Sequence, residues 1–125
     1  MLVELVVALT VCITGTLSQY DQGPTDQTLI NRTTPGRTAH TLPANWREVE
    51  GYIASPHCAD IGQVWSVTWR THTARLMVFD CAGNRSGRAW MRRNTILGEI
   101  DYYLARLWHA QPRRGLTDAV VCKAE

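Results

Sequence analysis

The chain has no apolar run long enough to cross a bilayer comfortably, since a spanning helix needs roughly 20 such residues. Its longest, Leu5 to Leu17, reads LVVALTVCITGTL. Charge of one sign is also scarce. Thirteen Lys and Arg against 11 Asp and Glu leave +2 at pH 7, which argues against an electrostatically driven nucleic-acid binder. There is no glycine-rich phosphate loop and no serine-nucleophile elbow. The four histidines, His40, His57, His72 and His109, make no metal-ligand spacing with the cysteines, so neither a metal nor another cofactor is expected. No internal repeat is visible, and no alternation of strand with long helix suggests a parallel α/β sheet. At 125 residues the chain has room for one core.

What is present divides the chain into three. The run Leu5 to Leu17 has the length of a signal-peptide core. Thr16 and Ser18 are small enough to flank cleavage near Gln19, although Glu4 is the only charged side chain before the run. Residues 1–18 are therefore read as a signal-like apolar helix, with an uncleaved anchor as the alternative and the sole expected membrane contact. Residues 19–44, rich in Thr, Gln, Pro and Gly, offer little to bury and read as a flexible arm. Residues 45–125 are the expected compact, monomeric domain.

Within that domain, GYIASPHC centres a short strand on Tyr52 to Ala54 and stops at Pro56. VWSVTW alternates, with Trp65, Val67 and Trp69 on one face. RTHT turns the chain, and ARLMVFDC returns as a strand apolar on both faces, hence central. AGNRSGR reads as a loop. AWMRRNTIL suits a short helix with Trp90 and Met91 inward, and EI is a brief strand. Leu104, Leu107 and Trp108 recur at helical spacing after Asp101, and DAVVC makes a last strand. Short strands with one or two short helices point to a β-barrel, and so a mainly β fold class, or to an α+β domain.

Export makes disulfides possible. Loss of residues 1–18 takes Cys12 and leaves Cys58, Cys81 and Cys122, an odd set. Cys58–Cys81 is the favoured pair because both flank expected strands; closing that loop would contribute about 3 kcal/mol. Three buried thiols are the alternative.

MVFDCAG followed by GEIDYYLARLW, preceded by GYIASPHCADIGQVWSV, resembles the six-stranded double-psi β-barrel superfamily of rare lipoprotein A, barwin and expansin domains and the three-aspartate domain of lytic transglycosylases. It also looks like small secreted or phage-encoded bacterial proteins with a DCA core. The resemblance implies a secreted or periplasmic domain that binds cell-wall polysaccharide, peptidoglycan above all, with weak lytic-transglycosylase-like activity a further expectation. Asp80 and Asp101 match the family acids. Asp101 would be the general acid and Asp80 its neighbour for orientation. Read from the residues alone, Asp101 is equally a helix cap and Asp80 a turn former.

Trp69 and Tyr103 are the aromatics expected to be exposed for sugar stacking, while Trp65, Trp90 and Trp108 read as core. Arg85 and Arg88, with Arg92 and Arg93, offer positive charge to an anionic polymer or form a solvated face. The rival readings are a non-catalytic interaction module and a disulfide-stapled structural protein.

Overall fold

Alternation of large apolar and small polar residues along VWSVTW produces the barrel's most regular strand. The computed structural model describes residues 10–20, 26–37, 40–111 and 114–124. The elements are β1 (Thr10–Gln19), α1 (Asp26–Thr33), β2 (Gly51–Ser55), β3 (Val64–Trp69), β4 (His72–Cys81), α2 (Arg85–Arg93), β5 (Ile96–Ile100), α3 (Tyr102–Leu107) and β6 (Leu116–Ala124). A single 3₁₀ turn, Cys58–Asp60, lies between β2 and β3. The strands close in the order β1-β5-β2-β4-β3-β6. Two neighbouring pairs, β1–β5 and β2–β4, are parallel. The other four pairs are antiparallel. The expected hairpin is β3–β4, turning through Arg70 and Thr71.

Inward residues fill the barrel: Leu17, Ile53, Trp65, Val67, Leu76, Val78, Ile100, Leu116 and Val121 are all inaccessible to solvent. Gly98 sits inside β5. A Cβ there would lie 2.7 Å from the Ala54 carbonyl, so only glycine lets β5 close on β2.

The N-terminal boundary is corrected. Thr10–Gln19 is not the tail of an apolar helix but a strand with both edges paired, to β6 from Thr10 onward and to β5 from Thr16. Its β-branched run (Thr10, Val11, Ile13, Thr14, Thr16) favours extended backbone, and Leu17 enters the core. Removing residues 1–18 would open the barrel, so the domain begins well before residue 45. Residues 1–9 of the expected signal-like helix lie outside the described residues.

The flexible arm is corrected in the same way. Its residues 26–33 form α1, making three short helices rather than one or two. Leu29 of α1, with Leu42 and Tyr20, packs on Met77 and Phe79. That contact explains why ARLMVFDC is apolar on both faces. Ala74, Leu76 and Val78 enter the barrel, whereas Met77 and Phe79 bury against the layer that the arm, Trp46 and Tyr52 lay over the outside.

All four cysteines are paired. Cys58–Cys81 forms as expected, tying the end of β4 to the 3₁₀ turn. Cys12, assigned by sequence to a removable segment, faces Cys122 across the β1–β6 pair and bonds to it. Two disulfides suit an oxidising, extracellular-type environment. Among the described residues no helix is long and apolar enough to cross a membrane.

Candidate functional site

The end of β4 carries Asp80, next to the Cys58–Cys81 bond. Its Oδ1 accepts from the Cys81 N–H at 2.8 Å and from Nη2 of Arg32 at 2.6 Å. Arg32 comes from the last turn of α1, and its Nη1 also donates to the His40 carbonyl. A cleft of about 270 Å³ opens here between Asp80, Arg32, Thr28, Asn31 and Arg37.

Asp101 follows β5 and caps α3. Its Oδ1 accepts from the N–H groups of Tyr103 at 2.8 Å and Leu104 at 3.3 Å, and the residue is 6% exposed. Its own N–H donates to the Tyr52 carbonyl.

Strand β2 lies between these two acids. It runs parallel to β4 and antiparallel to β5, so Ala54 registers with Asp80 on one side and with Glu99 on the other. The acid directly across β2 from Asp80 is therefore Glu99, about 10 Å away between backbones. Asp101 lies farther along, beside Tyr52. The two aspartates do not form a bare pair; each carboxylate has separate partners.

A residue that sequence reasoning passed over sits among them. Tyr20 continues β1, its N–H donates to the Ile100 carbonyl, and its ring tilts against Phe79 at 5.9 Å. Its phenol is pushed well above the usual tyrosine range. Burial is the main cause, followed by the negative charges of Glu99 and Asp80, with Asp101 adding to them against the opposing charge of Arg32. The hydroxyl thus stays protonated at neutral pH, in the field of nearby carboxylates. No motif marks it. It stands at the junction of two segments that sequence separates.

On the β5 side a second hollow, about 450 Å³, runs between α2 and the β1–β5 pair. Asn84 starts α2 by accepting from the Gly87 N–H, and Met91 is the helix's buried anchor. Trp90 is then turned outward. It is 54% exposed and lines the hollow with Glu99, Ser18, Thr16, Ile96 and Gly83. The sequence reading of Trp90 as core is corrected.

The reading of Trp69 as an exposed platform is reversed too. Trp69 is 5% exposed, and its indole N–H donates to the Thr117 carbonyl at 3.1 Å. His72 stacks between it and Trp108, closing that end of the barrel. Tyr103 is exposed as expected, at 70%, with its ring edge-on to Tyr102. Arg85 is exposed at the start of α2, while Arg88 is half-buried and donates to the Gly83 carbonyl at 3.0 Å.

No protein-family model, curated protein or solved structure matches this chain. The geometry itself is what remains: a flat indole face, one carboxylate and small hydroxyls along a groove. Such a surface can stack on a sugar ring and hydrogen-bond to its hydroxyls. Among the described residues no cluster of His, Cys, Asp and Glu has the form of a metal site.

Proposed function

We propose that this domain is a non-catalytic polysaccharide-binding barrel of the double-psi type, working outside the cytoplasm on cell-wall glycan such as peptidoglycan. The observation that carries the reading is Trp90, a large aromatic half in water on the wall of the α2 groove, with Glu99 and Ser18 beside it. Burying an indole face against a sugar ring favours binding, and the flanking acid and hydroxyl supply partners for ring hydroxyls. The closed six-stranded barrel with two parallel pairs is compatible with the double-psi type, and the two disulfides suit an exported protein.

Binding is preferred to cleavage because of how the acids are employed. Glycan cleavage needs a carboxyl able to reach the glycosidic oxygen and a second carboxylate opposite it. Asp101 is a buried cap, and Asp80 is engaged by Arg32. The interaction-module reading shares the exposed Trp90 and differs only in the partner.

Sedimentation with insoluble peptidoglycan tests the proposal. The wild-type protein should pellet with the polymer, Trp90→Ala should remain in the supernatant, and neither should release soluble muropeptides. A wild-type protein that stays in solution with every insoluble glycan offered would end the polysaccharide reading.

A further inference from the structure

A further hollow meets the α2 groove at Gly115. A depression of about 570 Å³ is lined by Trp69, Arg70, His109, Gln111, Arg114 and Gly115, with no carboxylate among the described residues that line it. Arg70, His109 and Arg114 are all exposed. Among the described residues none of the three has an acidic partner, whereas Arg32 and Lys123 do.

Two of these three residues stand on unusual backbone. Arg70, in the β3–β4 turn, has φ 56°, and His109, just after α3, has φ 58°. A non-glycine residue in that region costs on the order of 1–2 kcal/mol, and such residues cluster where a side chain must be aimed. The Arg70 guanidinium lies 4.3 Å over the Trp69 ring, an attraction that helps to hold it at this edge of the hollow. That indole is itself locked by Thr117 and His72, so the platform is rigid. Gly115 brings the Arg114 segment close to β1, because a Cβ there would lie 2.6 Å from the Thr16 methyl.

We infer that this depression binds an oxyanion, a carboxylate or phosphate group, clasped between Arg70 and Arg114 with His109 and Gln111 as further donors. Planar guanidinium groups suit such anions, and two of them lining one hollow give it a field that attracts them. The site stands apart from the glycan reading. Gly115 lines both this depression and the α2 groove, so one acidic polymer can reach the two. The anion therefore has two sources, a free small ion or a substituent on a saccharide chain.

Titration of the isotopically labelled full chain with inorganic phosphate, and separately with tetragalacturonate, tests the site by NMR. Shifts at the Trp69 indole N–H and the His109 ring are expected with at least one probe. Arg114→Ala and Arg70→Gly should each weaken binding by about tenfold, as loss of one charge-assisted contact does. Arg114 is exposed, and glycine relieves the backbone at position 70, so both variants should fold; unchanged melting temperatures would verify this. A response to phosphate alone assigns a free anion, and a stronger response to tetragalacturonate assigns a polymer-borne one. Absence of shifts with both probes, or equal affinity in the double variant, would overturn the inference whatever becomes of peptidoglycan binding.

Discussion

Arg32 and Asp80, distant along the chain, meet at 2.6 Å and clamp α1 to the end of β4. Both side chains are partly shielded, at 17% and 28% exposure, so the pair is worth more than a fully solvated one. Arg32→Ala leaves Asp80 with a desolvated, unmatched charge. It should cost about 1–2 kcal/mol in urea unfolding. It should also expose residues 26–37 to limited proteolysis before the barrel is cut. Proteolysis identical to wild type would show that the helix is held by Leu29 packing alone.

Asp101 has the role of a cap. Asp101→Ala should therefore lose about 1 kcal/mol of stability, and Asp101→Asn, which keeps an accepting oxygen, clearly less. Denaturant midpoints of the two variants make the comparison. Equal losses would point to a function of the carboxylate charge beyond capping.

Tyr20 predicts alkaline sensitivity. Its phenol is raised in the folded protein, first by burial and then by Glu99 and Asp80, and Tyr52 is raised likewise by burial and Asp101. In the unfolded chain both ionise near pH 10. The stabilisation is thus complete below about pH 10 and lost as pH climbs toward the folded values, at up to about 1.4 kcal/mol per pH unit for Tyr20. Urea midpoints between pH 8 and 11 should fall for the wild type and fall less steeply for Tyr20→Phe. Parallel curves would show that the Tyr20 phenol is not raised in the folded protein.

The disulfides should differ in weight. Cys12–Cys122 closes a separation of 110 residues and Cys58–Cys81 one of 23. Chain entropy assigns them about 5 and about 3 kcal/mol respectively. Cys12→Ser/Cys122→Ser should accordingly lower the unfolding free energy more than Cys58→Ser/Cys81→Ser. The reverse order would mean that the pairing of β1 with β6 resists opening without its covalent link.

Local chemistry was legible in the amino-acid order wherever neighbours in sequence are also neighbours in space. The alternation Trp65, Val67, Trp69 specified a strand and the face it buries, since side chains on extended backbone alternate. Asp101 before Tyr102–Leu107 suggested a helix start, and Cys58 and Cys81 at strand edges favoured a bond over free thiols. What only the tertiary structure decided depends on partners far along the chain. Thr10–Gln19 has the apolar content of a secretory segment and the β-branching of a strand, and β5 and β6 chose the strand. Trp69 and Trp90 exchanged their expected places because closing the barrel buried the first under His72 and Arg70, while α2 needed only Met91 as its anchor. Glu99 became the acid opposite Asp80 because β5 pairs antiparallel to β2, a register that hydrogen bonds between distant strands set and local composition does not encode.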